Sequence, residues 1–211
     1  FEISKEEDLD SIWDSSSVVL ITYPDSIYRK GEATLKTLKE FVDSKLVNLS
    51  SIIHILPFLP STSDGGFAVS NHENIDDIFG NWDDLKVLSA NHKVMADLVL
   101  NHVSSSHPWV HQFINCKEPG SSYIVTSNKS DLWNNVIRPR SSSLFTSIKT
   151  SEGVKDVWTT FGPDQIDINW KNPNILLEYI KLLVRYVECG AIWIRLDAIA
   201  FIWKEPNSTC L

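Results

Sequence analysis

Apolar strand segments and amphipathic helical segments take turns along this chain, and that alternation narrows its architecture more than any other feature. Residues 17–23 (SVVLITY), 51–56 (SIIHIL), 94–100 (VMADLVL) and 191–196 (AIWIRL) are apolar and rich in β-branched side chains. Such runs are strands buried on both faces. Between them, residues 33–46 carry Leu35, Leu38, Phe41 and Val42 at helical spacing. Residues 82–91 follow Asn81 as a cap, with Asp84 three places on. Residues 173–188 have Asn172 before them, Pro173 at the first position and Gly190 just past the end. Strand–helix–strand order implies parallel strands with right-handed crossovers, an α/β fold.

The rhythm breaks at residues 103–165, rich in Ser, Asn, Pro and Trp and without a clear period. That is too long for an ordinary loop. It predicts a division into 1–102 (three strands with their helices), 103–165 (an irregular inserted subdomain) and 166–211 (return to the array, with a helix and a fourth strand). Trp133, Trp158 and Trp170 lie in or beside the insertion. They could stack on sugar faces, but as a small core they need no ligand.

Composition excludes several classes of function. With 43% hydrophobic and 22% charged residues the chain is globular. A net charge of −8 and the lack of a Lys/Arg run give no attraction to nucleic acid or anionic lipid. No apolar run reaches the ~18 residues of a spanning helix. Three widely spaced cysteines, Cys116, Cys189 and Cys210, fit neither a disulfide framework nor a zinc ribbon. The expectation is reduced thiols in a cytoplasmic protein without membrane or nucleic-acid partners. The first residues, FEISKEEDLD, lack a signal-peptide pattern and an initiator Met. Sequons at Asn48, Asn128 and Asn207 are expected to be chance triplets.

In parallel α/β arrays, functional groups gather at the C-terminal ends of strands. Four such places are legible: Ser63-Asp64-Gly65-Gly66-Phe67, Asp97 to His102, Gln165 to Asn169, and Arg195-Leu196-Asp197-Ala198. Arg195 and Asp197 stand at i and i+2 of a strand and point the same way. A neighbouring guanidinium lowers a carboxyl pKa, as a carboxylate nucleophile requires. Spacing alone leaves a structural ion pair equally open. Asp64 in a glycine turn, Asp97 within its strand and His102 at a strand end each have an ordinary structural reading. His107 and His111 have i,i+4 spacing without a third ligand, so no metal is expected.

The same segments, in this order, resemble the conserved regions of the α-amylase superfamily, glycoside hydrolase family 13. Asp97–His102, Gln165–Asn169 and Arg195–Ala198 carry the resemblance. Leu20-Ile21-Thr22-Tyr23, His54-Ile55-Leu56-Pro57-Phe58, Asp64-Gly65-Gly66-Phe67, Arg138-Pro139-Arg140 and Trp203-Lys204-Glu205 are similar to its sucrose phosphorylase and glucosylglycerate phosphorylase subfamily. The resemblance implies a (β/α)8 TIM barrel, here its N-terminal half of about four strands, with a domain B inserted after strand three. It implies Asp197 as nucleophile, Arg195 orienting it, Asp64 and His102 binding glucosyl hydroxyls, and Phe67 as an apolar wall. Asp97, Asn101, Gln165 and Asp167 would support them. The general acid/base would be a Glu on a fifth strand beyond Leu211, so these residues alone are expected to be inactive and poorly soluble or oligomeric.

The implied reaction transfers a glucosyl unit from a small α-glucoside to inorganic phosphate, a co-substrate, with no metal or organic cofactor. Hydrolysis or transglycosylation by the same residues, and an inactive fragment, are the alternatives. Three departures stand out: Phe201 where sucrose phosphorylases can have Tyr, the bulky Trp193, and Asn71-His72 where many members have Asp-Tyr.

Overall fold

The computed structural model describes residues 13–47, 49, 51–127 and 131–211. The first ten residues and the sequons at Asn48 and Asn128 lie outside the described residues. The elements in order are β1 (Val19–Thr22), α1 (Thr34–Lys45), β2 (Ile52–Ile55), α2 (Trp82–Ser89), β3 (Lys93–Val99) and β4 (His102–Ser104). Then follow α3 (Pro108–Ile114), α4 (Gly120–Tyr123), β5 (Phe145–Thr150), β6 (Gly153–Trp158), β7 (Gln165–Asp167), α5 (Pro173–Glu188) and β8 (Ala191–Asp197).

Four strands form one parallel sheet in the order β1-β2-β3-β8. This is the expected part of a barrel, and the four strands read from the sequence lie within two residues of their expected bounds. The β3–β8 ladder is irregular at its start. Val94 pairs with Ala191, but Met95 pairs with Trp193, so Ile192 is an extra residue on β8. From there the register runs on to pair Asp97 with Arg195 and Val99 with Asp197.

The helices cover one face of the sheet. Leu35, Leu38 and Val42 of α1, Leu85 and Leu88 of α2, and Ile175, Tyr179 and Tyr186 of α5 pack with Ile53, Ile55, Ala96 and Leu98 in one core. Caps follow the sequence signals. Asn81 and Asp84 form a reciprocal capping box on α2, and Asn172 accepts from the Asn174 N–H at the start of α5. Gly190 ends α5 at φ 88, and a Cβ there would meet Ser89 Oγ at 2.2 Å. Tyr179 and Tyr186 donate to the carbonyls of Val99 and Asp97 at 3.1 and 3.4 Å. These bonds seat α5 beneath the end of β3. The same helix turns Leu176, Leu177, Ile180 and Val187 outward. Among the described residues no helix is long and apolar enough to cross a membrane.

The insertion is more regular than its sequence suggests. The expectation of an irregular stretch at 103–165 is corrected by a β5–β6 hairpin, two short helices, and an antiparallel β4–β7 pair that closes the insertion at its base. These strands escaped notice because β4 and β7 have only three residues each, and β5 and β6 turn Ser147, Lys149, Gly153 and Val154 outward. The β4–β7 pair also moves His102: the third strand stops at Val99, and His102 opens β4. β4 therefore straddles the division drawn after residue 102. Trp158 is fully buried between Phe145 and Trp133, edge-on to both, at 5.3 and 4.9 Å. Both tryptophans belong to a second small core, which Cys210 joins from the C-terminal segment. Trp170 instead stacks on Tyr179 and donates to the Leu100 carbonyl at 2.8 Å. The three cysteines are free thiols.

Candidate functional site

Asp97 lies inside the sheet with its side chain wholly buried, so its charge needs partners. It has two. Arg195 Nη1 donates to both carboxylate oxygens at 2.8 and 2.9 Å, and His54 Nε2 donates to Oδ2 at 2.8 Å. The other arm of the guanidinium, Nη2, donates to Asp197 Oδ1 at 2.8 Å. Arg195 thus bridges a buried carboxylate and one at the open end of β8.

The electrostatics correct one expectation. Arg195 does not bring the Asp197 pKa below its ordinary value. Burial pushes that carboxyl up, Arg195 draws it part of the way back, and Asp97 pushes it up again, so the net direction is upward. For Arg195 itself burial works against the charge, but the two carboxylates outweigh it and its pKa rises.

A second group forms around the turn after β2. Asp64, Gly65 and Gly66 make a single 3-10 turn, all with positive φ: 55, 61 and 103°. At Gly66 a Cβ would lie 2.7 Å from the Pro57 carbonyl, so glycine is required there. Asp64 Oδ2 accepts from Gln165 Nε2 at 2.8 Å. His102 Nε2 lies 3.1 Å from the Phe67 carbonyl and 3.2 Å from Gln165 Nε2, and its Nδ1 faces Asn101 Nδ2 at 3.4 Å. Burial lowers the His102 pKa, with Asp167 opposing, so the ring is neutral at pH 7. Phe67 joins the two groups: its carbonyl holds His102, and its ring lies 6.0 Å from the Arg195 guanidinium.

Asn101 and Asp167 belong to a third, fully enclosed group. Lys204 donates to Asp167 Oδ2 at 2.7 Å and Asn101 Oδ1 at 2.9 Å, and also caps the Phe201 carbonyl. Asp167 accepts from the Thr160 N–H at 3.0 Å and its hydroxyl at 2.5 Å. Phe161 stacks between His102 and Phe201, at 5.1 and 5.4 Å.

The sequence reading assigned no role to His54, Thr160, Phe161 or Lys204. His54 had a visible signal: it is the one polar residue in an apolar strand. Lys204 stood in the Trp203-Lys204-Glu205 segment of the resemblance, but its role was hidden because Asn101 and Asp167 lie far away in sequence. His107 does not pair with His111. Its Nδ1 caps α3 through the Trp109 N–H at 3.1 Å, so its Nε2 carries the proton and meets His72 Nδ1 at 3.2 Å. Among the described residues no group of three or more His, Cys, Asp or Glu is arranged to hold a metal.

The family model described as alpha amylase, catalytic domain, matches residues 45–209. Glucosylglycerate phosphorylase of Allomeiothermus silvanus is 43% identical over 94% of this chain and 36% of its own. Sucrose phosphorylase of Agrobacterium vitis is 32% identical over 92% of this chain and 42% of its own. The crystal structure of sucrose 6F-phosphate phosphorylase from Thermoanaerobacter thermosaccharolyticum superposes with a TM-score of 0.84 at 28% identity, covering 97% of this chain and 44% of that one. The chain thus spans under half the length of these relatives.

Proposed function

The chain belongs to the α-amylase catalytic-domain family, and from that premise we propose that it serves retaining phosphorolysis of a small α-glucoside, of the glucosylglycerate or sucrose kind. The observation that carries this reading is the Arg195 fork, which orients Asp197 from a buried anchor at Asp97. An Asp197 carboxylate oxygen attacks the anomeric carbon as the bond to the leaving oxygen breaks, giving a β-glucosyl ester. A phosphate oxygen then attacks the same carbon and Asp197 leaves. Two inversions give α-glucose 1-phosphate.

The remaining roles follow from position. Asp64 and His102 bind glucosyl hydroxyls and Phe67 walls the pocket. Asp97, Asn101, Gln165 and Asp167 hold these groups in place. Retaining transfer uses a second carboxyl about 5–5.5 Å from the nucleophile to protonate the leaving oxygen. Neither Asp97, engaged by Arg195 and His54, nor Glu205, paired with Lys171 at 3.5 Å, suits that role. We assign it to a Glu on a fifth barrel strand. The chemistry as written takes two carboxyl groups and phosphate, with no metal or organic cofactor. Its charged product fits a cytoplasmic enzyme.

The test is to incubate the purified native protein with glucosylglycerate or sucrose and phosphate. Release of α-glucose 1-phosphate, lost in Asp197→Asn, supports the reading. Free glucose at the same rate without phosphate would make it a hydrolase. No product in either case would overturn the assignment.

A further inference from the structure

We propose that Asp164 is a positioning residue for the glucosyl subsite: it holds the turn that carries Asp64 and so sets where the Asp64 carboxylate stands. Its Oδ2 accepts from Thr62 Oγ1 at 2.6 Å and from Ser63 Oγ at 2.7 Å. Its Oδ1 accepts from Ser105 Oγ, and its carbonyl from the Ser105 N–H at 3.0 Å. The Thr62 proton is committed to Asp164, so Ser104 Oγ, 2.6 Å away, donates to Thr62. One carboxylate thereby ties the segment entering the Asp64 turn to the insertion just past β4.

The position of these bonds gives them consequence. Asp64 directly follows Ser63 and holds φ 55, a conformation that an L-residue keeps only where its neighbours fix it. The residue after Asp164 is Gln165, which donates to Asp64 Oδ2. The dipeptide 164–165 therefore grips the hydroxyls of the two residues leading into Asp64 and the Asp64 carboxylate itself. Burial pushes the Asp164 carboxyl up, but the hydroxyls of Ser105, Thr62 and Ser63 outweigh it and hold it below its ordinary value. It is an ionised acceptor at neutral pH, and hydrogen bonds to an ionised acceptor are the stronger kind.

This inference rests on reading Asp64 as a glucosyl-binding group, and the experiment separates the two. In the purified native protein, Asp164→Ala is expected to raise KM for the α-glucoside about 10-fold, with a smaller fall in kcat. It should also speed amide hydrogen exchange at residues 62–68 without changing exchange in β3 or α5. Asp164→Asn, which keeps an acceptor oxygen, should recover most of both effects. Thr62→Val with Ser63→Ala, leaving Asp164 intact, should reproduce the KM rise and carries the test if Asp164→Ala does not fold. Unchanged KM and unchanged exchange, beside an inactive Asp197→Asn control, would overturn the role of Asp164 and leave the reaction standing. An active Asp197→Asn would overturn the reaction, and exchange at 62–68 would then decide the clamp by itself.

Discussion

Asp97 and Arg195 face each other across two parallel strands because β8 takes in one extra residue. Without the bulge at Ile192, the pairing of Val94 with Ala191 would run on to set Ile194 opposite Asp97. A one-residue slip turns a strand's side chains to the other face, so the bulge decides whether the fork exists. Deleting Ile192 leaves Met95 opposite Trp193 and Asp97 opposite Arg195 in an unbulged ladder and is therefore expected to keep activity within about tenfold, whereas inserting one Ala after Ile194 moves Arg195 off Asp97 and is expected to abolish activity and lower Tm. Thermal melts and initial rates on the two variants check this.

Asp97 is the buried anchor of the site, and its removal leaves His54 and Arg195 without their shared acceptor. Breaking a buried pair costs about 3–5 kcal/mol. Arg195 is partly open to solvent, with 44% of its side chain exposed, so about 2–3 kcal/mol is expected for Asp97→Ala. Urea denaturation measures it, and a loss below about 0.5 kcal/mol would contradict the assigned burial.

Asp197 carries a stability cost along with its function. Its folded pKa is raised above 3.8, so between 3.8 and that raised value the folded state binds more protons than the unfolded one. Stability therefore falls as pH rises through this window, and the ionised carboxylate is a burden at pH 7. Asp197→Asn should lose activity yet gain about 2 °C in Tm at pH 7, a gain that disappears on acidification. An unchanged Tm at both pH values would refute it.

The His72–His107 pair predicts acid sensitivity of the opposite sign. Burial lowers the two rings to about 4 and about 3, so they are neutral when folded and charged when unfolded below pH 6.5. Stability present above 6.5 is lost as pH falls toward those values. His72→Leu should flatten the fall in Tm between pH 6.5 and pH 4.5, read by circular dichroism.

The sequence carried the alternation of strands and helices, the caps at Asn81 and Asn172, and the strand-end residues at 64–67, 97–102, 165–169 and 195–198. These are local signals, each contained in a few neighbouring residues. What it did not carry is register and long-range closure. No local pattern announces that Ile192 is supernumerary, or that Lys204 reaches Asn101 across the molecule. The direction of the Asp197 pKa was missed for a related reason. Its Arg195 neighbour is visible at i−2, whereas its burial is a property of the whole fold.

The outward row of Leu176, Leu177, Ile180 and Val187 on α5 bears on how the protein behaves in a tube. At neutral pH the net charge of −8 opposes association of copies of this chain through that ridge. The calculated isoelectric point is near 5.2, and there the repulsion vanishes while the ridge stays. Turbidity should peak at that pH and recede on either side, so crystallisation and storage buffers belong well above it.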